Sequence, residues 1–337
     1  GWAVEDHRVF PPTGECMSFA DHSVIVVTPV YEDVEASSRL FLELSAQFAG
    51  RIFVVAVDDG SVKNPLDIDS LQQAGLEGVI LQLRRNVGHQ RAIAIGLGYV
   101  SERIESHQRV VVMDSDGEDL PVTIPELLQG LEQEQVDVVV AQRKSRVETL
   151  KFKLFYAIYK RFFSLMTGRA ISFGNFMALK ANAVRRLVAM QELPIHVAGT
   201  VLASKLRATA RLIDRGPRYA GQSKMNFVGL VLHGFKGLMV FAEDVLVRVG
   251  IACGLIAALS MAGITAAIVL KLIGFSTPGW FSVALGILVL MLLQTGALAL
   301  MTLMLTGVVR GGTVSSAIAY HEFVECVIET RGQTSPV

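Results

Sequence analysis

The sequence predicts an α/β domain built on a mostly parallel sheet, followed by amphipathic helices and a hairpin of two membrane-crossing helices. Three observations predict it. Short β-branched runs alternate with amphipathic stretches over the first half of the chain, polar clusters recur at the ends of those runs, and two long uncharged stretches occupy the last third. Buried parallel strands read as continuous apolar runs, and alternation with helices signals βαβ units covered on both faces.

Residues 1–22 read as an irregular lead-in with no basic-then-apolar run, so no secretory signal is expected there. "SVIVVTPVY" (Ser23 to Tyr31) is a strand and "VEASSRLFLELSAQF" a helix. "RIFVVAVDDGS" and "GVILQLRRN" are the next strands, and "GHQRAIAIGLGYVSE" the helix that follows. "RVVVMDSD" is a strand, "VTIPELLQGLEQ" a helix and "VDVVVAQR" a strand. Ligands of such sheets bind beyond the carboxyl ends of the strands. "TPVYED", "DDGS", "RRN" and "DSDGED" all fall there and should converge on one crevice.

The texture changes near Glu148. "TLKFKLFYAIYKRFFSLMTG" and "NFVGLVLHGFKGLMVFAEDVLVR" mix large apolar residues with basic ones at helical spacing, which suits helices lying in a membrane interface. An ordinary amphipathic helix packed on the sheet is the competing reading. Residues 249–270 then carry no charge, about 33 Å of helix at 1.5 Å per residue. "GFSTPG" supplies a turn, and residues 280–309 are again uncharged. Arg248, Arg310 and Arg331 lie on one side of this hairpin and Lys271 near its turn, so the positive-inside rule puts the large domain and both termini in the cytoplasm. The expected organisation is a lead-in at 1–22, an α/β domain at 23–225 that includes an interface helix near 148–168, an interface helix at 226–247, two spans within 248–309 and a tail at 310–337.

Composition fits two different pieces. Hydrophobic residues make up 51% of the 337, yet 31 basic side chains balance 31 acidic ones. That neutrality gives none of the basic field expected of a nucleic-acid binder. Cys16, Cys253 and Cys326 show neither metal-ligand spacing nor obvious pairing, which fits a reducing compartment. Gly96 and Gly98 fall inside a helix rather than after a strand, so no dinucleotide loop is expected.

The stretch "VVVMDSDGEDLP" carries the chemistry. A buried strand ends in Asp114, Asp116, Glu118 and Asp119, and like charges this close repel. Carboxylates that turn to one point after a strand suit Mg²⁺ or Mn²⁺, hard cations that share their oxygens with phosphates. Asp119 reads better as a cap on the turn before Pro121. A solvated acidic turn is the plain alternative, since an isolated D-x-D is common.

The companions narrow this. "TPVYED", "VDDGS", "NVGHQRAIAIGLGY", "MDSDGEDLP", "FGNF" and "RYAGQSKMNF" occur in that order from Thr28 to Phe227. The set resembles the family-2 glycosyltransferases, and among them the polyprenyl-phosphate sugar synthases similar to dolichol-phosphate mannose synthase, bacterial members with two C-terminal spans above all. The resemblance implies a GT-A type, Rossmann-like fold. It also implies a nucleotide-sugar donor, a polyprenyl phosphate acceptor, Mg²⁺ or Mn²⁺, a lipid bilayer and a homo-oligomer. It implies that Pro29 and Tyr31 line the base pocket, with Glu32 and Asp33 where the family has Asn-Glu. Asp58 and Asp59 would hold base and ribose beside Val57. Asp114, Ser115 and Asp116 would meet ribose, metal and diphosphate, with Glu118 as a metal ligand where many relatives have Gln. Arg143 would lie near the phosphates, and Arg218, Ser223 and Lys224 would close over the diphosphate and acceptor. Asp116, Arg143, Arg218 and Lys224 are thus the expected catalytic set.

Asn175 stands in "FGNF" where many bacterial relatives have Asp, which removes a candidate base. Asn86 and Gly88 read as a cap and turn, His89 as a surface or capping histidine, and Arg146, Lys151 and Lys153 as interface cations that could also meet an acceptor phosphate. The competing functions are a transferase acting on another lipid such as diacylglycerol, a processive polysaccharide synthase, and a non-catalytic membrane scaffold or flippase component. No Q-x-x-R-W motif is present, with Trp only at 2 and 280, which counts against the processive enzyme.

Overall fold

The computed structural model describes residues 19, 21–133, 135–143, 150–170, 173–219, 227–275, 279–311, 319–330 and 334–336. The chain forms two compact units, one of Gly1–Thr149, Ile171–His233 and Ser315–Val337, the other of Leu150–Ala170 and Gly234–Val314.

The first unit is built on β1 (Val24–Val30), β2 (Ile52–Asp58), β3 (Glu77–Leu83), β4 (Arg109–Val112), β5 (Val138–Arg143), β6 (Met177–Lys180), β7 (Ala208–Ile213), β8 (Val324–Glu329) and β9 (Thr334–Pro336). Their order is β7-β5-β6-β4-β1-β2-β3-β8-β9. The centre, β4-β1-β2-β3, is parallel throughout. β6 and β8 run against it, so the sheet is mixed but mostly parallel, as expected. β1 and β2 are buried at every position, as a sheet covered on both faces requires.

Helices α1 (Val34–Phe48), α2 (Asp69–Gln73) and α4 (Ile124–Leu131) contribute to the core on one face; α3 (His89–Ser101), α6 (Ala181–Val188) and α7 (Val197–Ala203) cover the other. The sheet presses closely on α3. A side chain at Gly96 would meet Val27 Cγ1 at 2.6 Å and Val57 Cγ2 at 2.9 Å. The chain runs β1, β2, β3 outward and then crosses by α3 to place β4 on the other flank of β1. The carboxyl ends of β1 and β4 therefore flank the topological switch point, where such sheets open a crevice.

The second unit contains α5 (Leu150–Thr167), the end of α8 (Phe227–Met239), α9 (Ala242–Leu272) and α10 (Trp280–Gly311). Ala242–Leu272 and Trp280–Leu305 are apolar enough to cross a membrane, with mean hydropathy 2.2 and 2.3. Almost none of either stretch is buried, unlike the core helices of a soluble protein. They pack antiparallel, Gly250 against Thr302 and Gly263 against Leu288. Glu243 and Asp244 sit in the first turn of α9, where the helix dipole favours them. Phe163 of α5 meets Phe241 edge-on at 5.9 Å, and Arg248 Nη1 donates to the Leu165 carbonyl at 2.6 Å.

Two features depart from the sequence reading. The α5 segment groups with the apolar helices rather than with the α/β domain. Residues read as a tail also return to the sheet, where β8 pairs antiparallel with β3 and β9 with β8. Buried Tyr320 anchors the return: its ring packs edge-on against Tyr99, and its hydroxyl donates to Glu102 and accepts from Arg103. One strand of six residues beside an exposed edge gives a weak sequence signal, and its partner lies about 240 residues away, as in the Cys326–Gln82 contact.

Val324 is wholly buried at the start of β8. Val324→Asp should cost about 3 kcal/mol or more by burying an unpaired charge, read as a lowered melting temperature. Asp137 is nine-tenths buried and takes the Arg207 amide and both arms of its guanidinium, together with Asn182. The Arg207 hydrogen bonds hold the Asp137 carboxyl far below the usual carboxylate range. A depressed acid contributes stability above its unfolded value of about 4 and loses it as pH falls below that. The melting-temperature gap between wild type and Arg207→Gln should therefore be full at neutral pH and close progressively below about pH 4.

Candidate active site

Buried carboxylates hold the loops around the switch point. Asp58 ends β2 only 2% exposed, accepting from Ser61 N at 3.0 Å and Leu66 N at 2.9 Å. Asp59 is equally buried and accepts from Val87 N at 2.7 Å and Gly88 N at 3.0 Å, joining the end of β2 to the start of α3. Burial pushes the Asp59 carboxyl up, and those amides oppose the shift. Gly88 is the N-cap of α3 at φ 90, the cap-and-turn role read for it. Glu32, at φ 49, accepts from Val62, Lys63 and Asn64 amides, which hold its carboxyl below the ordinary range. Gly60 is required by close approach, since a Cβ there would lie 2.5 Å from the Arg85 carbonyl carbon.

Three acids expected at the nucleotide are thus engaged by loop amides. Val57 points into the core against Gly96 and lines no crevice. Asp33 caps α1, with its side chain 3.4 Å from Ala36 N. Tyr31 is 44% exposed at the mouth, and the Pro29 carbonyl accepts the Ser115 hydroxyl at 3.0 Å, fixing the acidic loop to the end of β1.

The loop after β4 is a tight turn. Asp119 Oδ2 accepts the Asp114 amide at 2.9 Å, Asp116 Oδ1 accepts the Glu118 amide at 3.0 Å, and Gly117 sits at φ 89. Asp119 has the turn-capping part expected of it. A segment after β7 lies along this loop: Gly216 N donates to the Glu118 carbonyl at 3.0 Å and Tyr219 N to the Asp116 carbonyl at 2.9 Å. Arg218 bridges two carboxylates, with Nη2 2.8 Å from Asp116 Oδ2 and Nε 3.1 Å from Glu118 Oε1. Arg215 also pairs with Glu118. Burial and the Asp114 charge still push the Asp116 carboxyl up, against the pull of Arg218, Arg215 and His89.

Beside them, His89 Nε2 lies 3.1 Å from Asp114 Oδ1 and 3.1 Å from Asn175 Nδ2. Its surroundings alone would depress the imidazole, but the Asp114 charge and hydrogen bond, with Asp116 and Asp119, hold it above its ordinary value. His89, read as a surface or capping residue, therefore belongs to the crevice. Its signal was the spacing after the strand-end "RRN".

Glu118, expected among the metal ligands, faces two arginines, and among the described residues no three acidic, His or Cys side chains converge as a ready metal cluster. The donor set still suits a hard cation, because Asp114 and Asp116 present two carboxylates from one turn. Arg143 closes β5 in register with Ile213. Ser223, Lys224 and Arg146 lie outside the described residues. Arg215 and Tyr219 were missed. Arg215 stands three residues before Arg218 in "RGPRY", a spacing that could have flagged it.

A mostly parallel sheet with carboxylates and arginines at its switch point defines an α/β domain with a charged ligand crevice at the ends of its strands. The family model described as Glycosyl transferase family 2 matches residues 25–193, and the chain belongs to that family: it is a glycosyltransferase. An uncharacterized glycosyltransferase of Synechocystis sp. is 28% identical over 278 residues, 79% of this chain and 84% of that protein. An undecaprenyl-phosphate 4-deoxy-4-formamido-L-arabinose transferase of Enterobacter sp. is 28% identical over 222 residues, covering 63% of this chain and 65% of the relative. Among solved structures, glucosyl-3-phosphoglycerate synthase from Mycobacterium tuberculosis, in complex with Mn²⁺, UDP and phosphoglyceric acid, aligns with a TM-score of 0.46 at 12% identity over 68% of this chain and 79% of that one.

Asp58→Ala leaves two buried amides without acceptors and should cost about 2 kcal/mol or more. A thermal melt should show that loss directly, where a pure ligand contact would change only the KM.

Proposed function

We propose that this glycosyltransferase moves a sugar from a nucleotide-sugar to polyprenyl phosphate at the cytoplasmic face of a membrane, with Mg²⁺ or Mn²⁺ at Asp114 and Asp116. The observation that carries the reading is the pairing, in one chain, of the switch-point carboxylate–arginine cluster with two long apolar helices left exposed. The name of the Enterobacter relative supports a polyprenyl phosphate acceptor. Ile171–His233 before the apolar hairpin and Ser315–Val337 after it belong to the first unit, so two crossings between them would return the chain to the side it left. Arg248 and Arg310 at its ends favour the cytoplasm for that side.

The chain's own groups account for most of the chemistry. A lipid monophosphate is largely ionised near neutral pH and needs no strong base to attack the anomeric carbon. Asn175 beside His89 is compatible with this, because a carboxamide cannot accept a proton and an ionised phosphate oxygen has none to give up. The guanidiniums of Arg218 and Arg215, beside Asp116 and Glu118, would stabilise the charge that grows on the departing nucleoside diphosphate as the anomeric C–O bond breaks. Direct displacement inverts the anomeric carbon. When bound, a divalent cation supplies further neutralisation of that leaving group. Lys224 and Ser223 would close over the same diphosphate, and Tyr31 at the mouth would stack on the base.

The full chain in detergent or nanodiscs, given a panel of UDP- and GDP-sugars, should glycosylate undecaprenyl phosphate. Transfer to diacylglycerol instead would select the other lipid acceptor, and transfer to neither would overturn the lipid-acceptor reading. Asp116→Ala should lower transfer by about 10²-fold or more while the protein stays folded. Near-normal transfer by that variant would remove the metal and diphosphate assignment.

A further inference from the structure

We infer that Arg215 and Arg218 act as built-in counter-ions of the acidic loop, which must exchange partners when donor and metal arrive, so that metal binding is coupled to nucleotide binding. The inference rests on the proposed donor reading and names Arg215 as a positioning residue for it.

Asp116 Oδ2, an oxygen a divalent cation would need, and both oxygens of neighbouring Glu118 are held by guanidinium groups. A cation entering alone would displace those pairs and then lie beside two positive charges a few ångströms away. A nucleotide diphosphate removes the conflict. Guanidinium forks match phosphate oxygens at least as well as carboxylates, and a hard cation bridges carboxylate and phosphate. The arginines pass to the diphosphate as the carboxylates pass to the cation.

The backbone permits this exchange without moving the loop. The 214–219 strap is held by its main chain, through the Gly216–Glu118 and Tyr219–Asp116 hydrogen bonds. The two segments approach so closely that a Cβ at Gly216 would lie 2.5 Å from the Gly117 carbonyl, and one at Gly117 would strike the Tyr219 ring at 2.6 Å. That ring is fixed from its other side, with its hydroxyl donating to Glu43 at 2.5 Å and the Arg39 guanidinium 4.5 Å above its centre. Tyr219 thereby ties the strap to α1, while the Arg215 and Arg218 side chains, about a third exposed, are held by their carboxylate partners.

The test is Mn²⁺ titration of the full chain, followed by electron paramagnetic resonance, with and without UDP or GDP. Wild type should bind Mn²⁺ at least about fivefold more tightly with the matching nucleotide, within the usual range of coupling between sites. Arg215→Gln should bind Mn²⁺ alone about fivefold or more tighter than wild type and show reduced coupling. Arg218→Gln should move in the same direction, and Arg215→Lys, which keeps the charge, should stay nearer wild type. A melt of each variant confirms that the fold is retained. If Arg215→Gln and Arg218→Gln bind Mn²⁺ alone no better than wild type, the counter-ion inference is overturned while the donor reading stands. If wild type binds Mn²⁺ with neither nucleotide, the metal-dependent donor reading falls, and this inference with it.

Discussion

Four carboxylates between Asp114 and Asp119, at the end of a strand buried in the centre of a sheet, impose the constraint on which the site is built. Each is placed by a partner of its own or one that it shares. Asp119 turns back onto the Asp114 amide, Asp114 meets His89, and Asp116 and Glu118 share Arg218. Repulsion that would open an isolated loop instead recruits cations from α3 and from the segment after β7. Burial, together with the Asp114 charge, still raises the Asp116 carboxyl above its ordinary value despite these cations. A structural ion pair does not behave this way. Asp137 with Arg207 is fully matched and is pulled far down instead.

The acids upstream do a different job at the same edge of the sheet. Asp58, Asp59 and Glu32 convert their charge into loop geometry by accepting seven backbone amide hydrogen bonds between them, two at Asp58, two at Asp59 and three at Glu32. Charge-assisted bonds of this kind are strong and directional. They set the wall against which a nucleotide would lie, while the side chains left at the mouth are Tyr31, His89 and the acidic loop.

The sequence was most legible where periodicity and burial coincide. Runs such as "VIVVTPV" and "IFVVAVD" are apolar because both faces of the central strands are covered, and their polar ends mark the crevice. Ordered motifs disclosed Asp114, Asp116 and Arg218. The partners of those residues were not legible, because each lies far along the chain in a segment with no period of its own. Arg215 reaches Glu118 across about 100 residues, as does Arg218, and Tyr219 reaches Glu43 across 176. Glu118 shows the limit most clearly. A carboxylate in a D-x-D-x-E string suits a metal, and only the fold reveals that two guanidiniums reach it first.

The same long-range pairing constrains the apolar hairpin if α9 and α10, the two candidate spans, cross a membrane. Unit one is assembled from three chain segments, and the last of them adds β8 to the edge of β3 and anchors Tyr320 on α3. That pairing is possible only if the chain returns to the side from which it left. An odd number of crossings would leave Val324 and Tyr320, both buried in the sheet's core cluster, on the far side of the bilayer from the residues they cover. Burial of those two side chains therefore favours a paired hairpin over a single anchor. It also makes the two ends of the hairpin belong to one folding unit, so the catalytic sheet completes its edge only after the apolar helices have been made.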